Sequence, residues 1–376
     1  MKFSLERDVL AEAVTWTART LPQRPPAPVL SGVLIKSAEN GAISLATFDY
    51  EVSARSEVPA EVTEPGTILV SGKLLAEISR ALPNKPVEVT TEGSKASLVC
   101  GASRFTLLTM PVEEYPTLPE LPELVGSIDS DEFTHAVAQV TVAASKDDTL
   151  PLLTTVRVEV EEDTITLLAT DRYRLALREI KWQPAQPGLS TAALVRARTL
   201  SEAAKSFGSA GRVDVGLQVG GGMDRIGFMA GGRVTTSQLE DGDYPHVRRL
   251  FPESTPIQAI VDTQALIDAT KRVALVAERN SPIRLSFSEG QVVLDAGQGD
   301  DAQASEVLEA ELTGEEISVA FNPHYLLDGL TALGEPFVRL GFTHPNKPVE
   351  FLGQKSVDGD VVDDYRYLLV PIRFTS

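Results

Sequence analysis

Two kinds of apolar spacing alternate along the chain. Apolar residues three or four positions apart predict amphipathic helices over 5–21, 72–82, 129–145, 196–207, 262–278 and 322–334. Alternating or β-branched runs between them predict strands over 29–36, 42–58, 86–91, 95–100, 103–109, 153–160, 164–180, 212–219, 224–230, 233–239, 283–288 and 291–296. Asn40-Gly41 signals a hairpin, Ser71 caps one helix, and Asn322-Pro323 begins another.

These elements follow one plan, helix, strands, helix, strands, three times. The later helix of each copy begins near 71, 196 and 322, a spacing of about 125 residues that is a normal domain size. A Pro- and acid-rich connector over 111–126 marks a boundary, and Tyr-Pro recurs at 115–116 and 244–245. The pattern therefore predicts an α+β chain of three repeated domains, 1–122, 127–252 and 256–376.

The stretch Ala169–Ala176 carries the most distinctive side chains. Asp171 fits a turn that lifts Arg172, Tyr173 and Arg174 together, and rings beside guanidiniums suit contact with a partner chain. An ordinary hairpin turn with a solvated face explains the same residues. A related stretch at 43–50 indicates that the turn is one copy's specialised version of a repeated element.

Composition narrows the class of protein. The formal charge of −19 counts against nucleic-acid binding unless basic residues gather on one surface. Helix spacing gathers some of them: Lys73, Glu77 and Arg80 share a helix face, and the basic-acidic-basic order recurs at Arg198, Glu202 and Lys205. The third copy has His324, Asp328 and Thr331 instead, and a solvated face with intrahelical ion pairs explains each helix equally well.

The remaining sequence features point to a cytoplasmic protein without catalytic chemistry. The single Cys100, the charges at positions 6–8 and the lack of a long apolar run favour a reducing compartment, no signal peptide and no membrane span. The four His have no metal-like spacing, and Gly66–Lys73 lacks the hydroxyl that a phosphate loop places on magnesium. We expect no enzyme activity, no cofactor and no metal; acidic clusters such as Asp358–Asp364 are typical of solvated loops.

Several motifs together resemble one family, the bacterial sliding clamps, the beta subunits of DNA polymerase III. The three repeats carry Arg24-Pro25, Thr170-Asp-Arg-Tyr-Arg-Leu175, Asp243-Tyr-Pro245 with Arg248-Arg249, Phe321-Asn322 with Tyr325, and the tail Val370-Pro-Ile-Arg-Phe374. The resemblance covers the whole chain. It implies the DNA-clamp fold, in which two helices per domain pack on antiparallel sheets, and a ring-shaped head-to-tail homodimer that encircles duplex DNA and confers processivity on the polymerase.

The resemblance also implies partners and contact surfaces. The partners are double-stranded DNA, a second copy of the chain, the clamp loader, the DNA polymerase III alpha subunit, and other DNA polymerases and repair proteins that carry a clamp-binding peptide. The expected DNA-facing residues are Arg24, Lys73, Arg80, Arg196, Arg198 and Lys205; Lys271, Arg272 and Arg279 would extend that basic surface. The candidates for the dimer contact are Arg104, Leu107 and Leu108 in the first domain against Asp300 and Asp301 in the third.

A hydrophobic groove between the second and third domains is expected to receive the partner peptide. By position it includes Leu153, Thr170, Arg172, Tyr173, Arg174, Leu175, Pro245, Arg249, Leu250, Asn322, Tyr325, Val370, Pro371, Ile372 and Arg373. Arg174, Arg249 and Arg373 would bond the peptide backbone or an acidic end. A known member of the family has Gly-His in place of Arg172-Tyr173, which suggests a different peptide preference. Thr47–Tyr50 lacks arginines and predicts no second groove.

Two other classes of protein remain open on the residues alone. A β-rich adhesion or scaffold protein would explain the strands, and the basic helix faces count against it. An enzyme with a metal site at a domain junction would need a ligand or nucleophile constellation that the sequence does not offer.

Overall fold

A computed structural model describes residues 1–37, 41–277, 281–297 and 302–373. The chain groups into two compact units. Unit 1 holds Met1–Ser130, Gln183–Gln186 and Glu202–Leu239, and unit 2 holds Asp131–Trp182, Pro187–Ser201 and Glu240–Ser376. Asn40, Arg279, Asp300, Asp301 and Phe374, which the sequence predictions include, lie outside the described residues.

Secondary structure in the first third begins with a short strand before the first helix. The elements are β1 (Lys2–Leu5), α1 (Arg7–Thr17), β2 (Gly32–Ser37), β3 (Ala42–Phe48), β4 (Val52–Pro59), β5 (Glu61–Glu64), β6 (Thr67–Ser71), α2 (Gly72–Ala81), β7 (Val87–Glu92), β8 (Lys95–Cys100) and β9 (Ser103–Leu108). The predicted cap at Ser71 is confirmed, since its hydroxyl accepts from the Leu74 backbone N–H.

The middle third repeats this order. Its elements are β10 (Leu124–Asp129), α3 (Ser130–Thr141), β11 (Thr155–Glu161), β12 (Thr164–Thr170), β13 (Arg174–Lys181), β14 (Gln183–Pro184), β15 (Ser190–Arg196), α4 (Ala197–Phe207), β16 (Arg212–Gln218), β17 (Arg225–Ala230) and β18 (Arg233–Gln238). The apolar stripe predicted on the α3 helix, Phe133, Val137 and Val140, is buried.

The last third completes the series. Its elements are β19 (Ile257–Asp262), α5 (Thr263–Val273), β20 (Ile283–Ser288), β21 (Gln291–Ala296), β22 (Ala304–Glu309), β23 (Glu311–Thr313), β24 (Ile317–Phe321), α6 (Pro323–Leu333), β25 (Phe337–Phe342), β26 (Val349–Gln354) and β27 (Val361–Leu369). Asn322 caps α6 as predicted, because its side-chain oxygen accepts from the His324 and Tyr325 backbone N–H groups.

Unit 1 contains two antiparallel sheets with α1 and α2 packed together. The five-stranded sheet has the order β5-β1-β7-β8-β9, and the nine-stranded sheet has the order β14-β10-β16-β17-β18-β4-β3-β2-β6. Its largest core cluster draws Phe3 and Leu98 from the smaller sheet, Ile35 from the larger one, and Leu10 and Leu75 from the helices. The helices therefore bury their apolar faces against both sheets.

Unit 2 has a corresponding arrangement. Its nine-stranded sheet has the order β15-β11-β12-β13-β27-β26-β25-β19-β23, its four-stranded sheet has the order β22-β21-β20-β24, and α5 packs on α6. Each nine-stranded sheet joins strands of two successive copies of the repeat, through β4 with β18 in unit 1 and β13 with β27 in unit 2. Contacts within the sheets therefore group the chain differently from the three repeats of the sequence.

The sequence predictions missed several strands, among them the strand that opens each copy, β6, β15, β24 and the acidic strand β22. The helices predicted from 5, 129 and 262 begin at Arg7, Ser130 and Thr263, after β1, β10 and β19. The acidic stretch 300–311, for which no element was predicted, contains β22, which pairs with β21 along its length. These short strands are defined by their partner strands, which the local pattern does not reveal.

Candidate functional site

The turn between β12 and β13 is fixed by its own hydrogen bonds. Asp171 Oδ1 accepts from the backbone N–H groups of Tyr173 and Arg174, each at 3.0 Å. The Thr170 hydroxyl donates to the Arg174 carbonyl at 2.7 Å. Arg172 takes a left-handed conformation with φ of 79°. The turn thus holds Tyr173, which is 54% exposed, in a defined position above the sheet.

Arg174 lies buried behind Tyr173 between two carboxylates. Its Nε donates to Asp171 at 2.9 Å and its Nη1 donates to Asp328 of α6 at 2.6 Å. The guanidinium carbon lies 4.3 Å from the centre of the Tyr325 ring, a cation–π distance. Burial alone lowers the pKa of Arg174, but Tyr367 and the two carboxylates outweigh burial and raise it. Two of its three nitrogens are therefore engaged within unit 2.

Tyr325 on α6 connects this turn with the end of the chain. The rings of Tyr173 and Tyr325 stack with centroids 6.1 Å apart. The Tyr367 hydroxyl donates to the Tyr325 carbonyl at 2.8 Å, and the Val370 backbone N–H donates to the Tyr173 carbonyl at 2.9 Å. Burial, as the largest cause, raises the pKa of Tyr325. The turn, the first turns of α6 and the tail after β27 are therefore connected. We call the Tyr173–Tyr325 stack that they hold the aromatic wall.

The two strands that flank this turn, β12 and β13, also contribute to an apolar floor. The buried cluster contains Leu168, Leu175, Leu177, Leu194, Tyr244, Val247 and Leu368, with Leu152 and Phe251 packed against it. Beside the cluster lies an open pocket of about 260 Å³ lined by Arg157, Glu159, Leu168, Pro245, His246, Val247, Arg248 and Arg249. An open cavity with apolar walls and a few charged groups suits large apolar side chains of a ligand.

The tail after β27 supplies the opposite border. Val370 and Ile372 are 40% and 38% exposed, whereas Pro371 is buried. The Ile372 backbone N–H donates to the Ala320 carbonyl at 2.8 Å, which places the tail beside the start of α6. Two apolar side chains therefore stay exposed on a backbone that is hydrogen-bonded at both ends.

The structure brings together several of the residues predicted for the peptide groove. Tyr173, Arg174, Tyr325 and Val370 are in direct contact or hydrogen-bonded, and Asn322 caps the same helix. Thr170, Leu175 and Leu153 are buried, so their side chains support the surface from below. Arg172, Pro245, Arg249, Leu250 and Arg373 are exposed.

Sequence reasoning identified Asp171 as the turn residue but missed its ion pair with Arg174, and it missed the other residues that hold this set in place. Asp328 also pairs with Arg174, while Leu168, Leu368, Tyr244 and Val247 build the floor. Asp171 is recognisable from its position in the turn. Asp328 is paired with a residue 154 positions away, so no local pattern could have revealed it.

The charged helix faces agree with the predicted spacing. Lys73, Glu77 and Arg80 are exposed on α2, and Arg198, Glu202 and Lys205 are exposed on α4. Arg24 is also exposed. Arg196 differs, because it ends β15 and forms an ion pair with Glu240.

One of the three first-domain residues expected at the dimer contact, Leu107, is buried in the structure. Arg104 is exposed on the edge strand β9 and Leu108 is 72% exposed. Leu107 instead points into the core of unit 1 and is 3% exposed, because successive side chains of a strand alternate between faces.

The described residues were searched for groups that could bind a metal ion and for helices that could span a membrane. Across 1–37, 41–277, 281–297 and 302–373, no group of three or more His, Cys, Asp or Glu is arranged to hold a metal ion. The described helices include none that is long and apolar enough to cross a membrane.

Comparison with known proteins covers the whole chain. Models of the DNA polymerase III beta subunit match in order: the N-terminal domain over residues 1–119, the central domain over 127–246 and the C-terminal domain over 248–365. The beta sliding clamp of Streptomyces coelicolor is 54% identical over 376 residues, 100% of both chains. That of Micrococcus luteus is 60% identical over 306 residues, 81% of this chain and 98% of the relative.

Solved structures give the same likeness in three dimensions. The Bacillus subtilis sliding clamp superposes with a TM-score of 0.91 at 26% identity over 100% of both chains. A Pseudomonas aeruginosa clamp bound to griselimycin also gives 0.91, at 29% identity and 100% coverage of both chains. These likenesses define the class as a DNA sliding clamp, a non-catalytic processivity factor with three similar domains of sheets and helices. The chain belongs to the bacterial DNA polymerase III beta subunit family.

Proposed function

We propose that the surface formed by Tyr173, Tyr325, Val370, Ile372 and Pro245, together with the other residues expected in the groove, is the site at which this clamp docks partner peptides. The observation that carries the proposal is the Tyr173–Tyr325 stack at the turn between β12 and β13, the two strands whose Leu168 and Leu175 belong to the apolar floor next to the open pocket. Exposed rings held rigidly give large contact area at a low entropic cost. A clamp of the same family in complex with griselimycin supports a ligand site of this kind.

The proposed occupants are short linear peptides of the clamp loader, the DNA polymerase III alpha subunit, other DNA polymerases and repair proteins. The pocket of about 260 Å³ has room for large apolar side chains. Arg249 lines this pocket and Arg373 is exposed on the tail, and both suit the peptide backbone or an acidic end. Arg174 instead orients Tyr325, since its donors already bond Asp171 and Asp328.

Ring closure and DNA passage complete the proposed function. Two chains join head to tail into a cytoplasmic ring of six domains, with boundaries at 1–122, 127–252 and 256–376. Arg104 and Leu108 on the exposed edge of β9 support the join. The exposed bases of α2 and α4, with Arg24, support a DNA-facing surface that screens phosphates loosely enough for sliding.

Peptide docking is tested by removing the aromatic wall. Tyr173→Ala combined with deletion of 370–376 should abolish binding of a fluorescent peptide from the alpha subunit while the dimer persists in sedimentation. Tyr50→Ala is the matched control, because Tyr50 is 55% exposed, as Tyr173 is 54%, and also lies in a turn with a left-handed residue. Unchanged peptide affinity in the Tyr173 variant would remove the site assignment.

Ring topology is tested on DNA. The clamp is loaded with its loader and ATP onto nicked circles, isolated by gel filtration in moderate salt, and the circles are then cut. Retention on circles and loss from linear DNA is expected for a ring that holds DNA by enclosure. Equal loss from both, after loading has been verified, contradicts enclosure.

A further inference from the structure

Unit 2 has a second open cleft of about 630 Å³, which shares Arg248 with the pocket of about 260 Å³. The residues around it come from the segment that precedes β19 and from five strands, β13, β19, β25, β26 and β27: Leu177, Glu179, Arg248, Phe251, Pro252, Glu253, Ser254, Thr255, Pro256, Gln258, Arg339, Glu350, Leu352, Val361, Asp363 and Arg366. We call it the Arg339 cleft.

The cleft shares its floor with the peptide site. Leu177 pairs with Arg366, Arg366 with Leu352, and Leu352 with Arg339, so these four residues form one row across β13, β27, β26 and β25. Leu175 and Leu368, which lie under the peptide pocket, are two residues along the same strands and therefore on the same face. Arg248 lines both openings.

Two of the three arginines in the cleft already have carboxylate partners. Arg366 bonds Glu350 through Nε at 2.7 Å and lies 4.3 Å from the Phe251 ring. Arg248 lies 3.2 Å from a Glu159 oxygen and 3.9 Å from a Glu179 oxygen.

Arg339 differs from its two neighbours. It is half-buried on β25, and among the residues that the structure describes no carboxylate oxygen lies within 4.0 Å of its guanidinium. A half-buried cation without an anion partner is the group in this cleft that an incoming carboxylate would satisfy.

We propose that the Arg339 cleft binds an acidic residue that flanks the apolar core of a docked partner peptide, with Arg339 pairing with its carboxylate. The argument combines continuity with the peptide site and the charge of Arg339. It rests on the proposed docking function of the groove and adds a determinant of which peptides the groove prefers. Glu253 and Asp363 at the exposed border disfavour carboxylates elsewhere in the cleft, so the preference depends on Arg339 itself.

The test uses four synthetic peptides that share one Leu-Phe apolar core. Two glutamates or two glutamines are attached at either the N-terminal or the C-terminal side, and binding to the full-length dimer is measured by fluorescence anisotropy. At one of the two ends, the Glu peptide should bind about threefold to tenfold more tightly than its Gln counterpart. Raising the salt from about 0.05 M to about 0.5 M should shrink this advantage, as expected for a charge pair.

Variants assign the effect to one side chain. Arg339→Gln should remove the Glu advantage without changing the affinity of the Gln peptides, and Arg339→Lys should keep most of the advantage. Arg339→Glu should reverse the charge preference, so that a peptide with two flanking lysines binds more tightly than the Glu peptide. Arg225→Gln, which removes the same charge in unit 1, should behave as the unchanged protein.

The outcomes separate the two proposals. Binding of the Gln peptides with no Glu advantage at either end, or an advantage that survives in Arg339→Gln, overturns the role of Arg339 and leaves the groove standing. Failure of every peptide to bind a correctly folded dimer contradicts the groove itself, and the Arg339 proposal falls with it.

Discussion

At the scale of single residues, Arg174 organises the proposed docking site through two carboxylates. Arg174→Gln leaves Asp171, whose side chain is 10% exposed, without its cation, and an uncompensated buried charge is costly. We expect a loss of about 3 kcal/mol in the free energy of unfolding, measured by urea denaturation. Arg172→Gln, two residues away and exposed, should change it by less than about 0.5 kcal/mol. Equal effects of the two substitutions would show that the carboxylate contacts of Arg174 contribute little.

Arg172 tests the strain in the same turn. Its φ of 79° favours glycine, since a Cβ crowds the backbone there. Arg172→Gly should therefore be about 1 kcal/mol more stable than Arg172→Ala. The order should reverse at Glu179, an exposed position on β13 without positive φ, where Ala is the better strand residue. Thermal denaturation of the four variants measures the difference, and a less stable Gly at 172 would contradict it.

Because the pKa of the buried Tyr115 is raised, we expect the stability of unit 1 to depend on pH. Burial is the largest cause that raises its pKa to about 12, while the Phe48 N–H that donates to its oxygen at 2.8 Å opposes the rise. A pKa raised on folding means that stability is fully present below the unfolded pKa of about 10 and is lost as the pH rises through about 12. The loss should be on the order of 2 kcal/mol.

Tyr115→Phe isolates this contribution. The variant removes the titrating group and the acceptor for Phe48, so it should be about 1 kcal/mol less stable at neutral pH. It should also lose less stability between pH about 10 and about 12 than the unchanged protein. Urea denaturation across that range measures both effects, and parallel pH profiles would exclude Tyr115 as the source.

At the scale of elements, the repeated turns have the same backbone but different side chains. Asp49 accepts from the N–H groups of Glu51 and Val52 as Asp171 does from those of Tyr173 and Arg174. Tyr50, with φ of 76°, occupies the position of Arg172. The internal repeat therefore keeps the hairpin geometry, and the side chains placed on it determine which turn carries an aromatic wall and a buried guanidinium.

Helix α6 depends on one glycine for its approach to the sheet. A Cβ on Gly329 would clash with Cε1 of Tyr367, whose hydroxyl bonds the Tyr325 carbonyl. Gly329→Ala should push α6 outward, cost about 2 kcal/mol of stability and weaken peptide binding, because Tyr325 moves with the helix. Thr331→Ala, exposed on the same helix, is the control. Fluorescence anisotropy measures peptide binding, and urea denaturation measures the free energy of unfolding. Unchanged peptide affinity would show that the position of α6 does not affect the site.

At the scale of the whole molecule, an acidic chain that encircles DNA needs its bases on the DNA side. Lys73→Glu with Arg198→Glu should weaken direct binding of the clamp to linear DNA and reduce the salt dependence of that binding by about one unit of slope for each phosphate that is no longer neutralised. Lys36→Glu with Lys347→Glu adds the same negative charge at exposed positions outside α2 and α4. Comparable weakening of DNA binding in both double variants would show that net charge alone, and no particular helix face, controls it.

Local pattern predicted the helices well because each carries its own evidence. The stripes on α2, α3 and α4 and the caps at Ser71 and Asn322 are contained within a few residues of sequence. The edge strand β22 had no such evidence: its side chains alternate between half-buried and exposed, and its acidic residues suggest a loop. Pairing with β21 defines it as a strand, and that pairing is a property of the folded chain.

The sequence by itself determined the repeat, the helix faces, the family and the aromatic and apolar members of the proposed site. Periodicity, caps and turn residues act over short distances and can be read along the chain. Only the tertiary structure decided that Arg174 is held by Asp328, that Leu107 belongs to a core, that two nine-stranded sheets join successive copies, and that Arg339 stands beside the peptide site with no carboxylate partner among the described residues. Each of these depends on strands or helices far apart in sequence, whose register is fixed only when the sheets and their cores assemble.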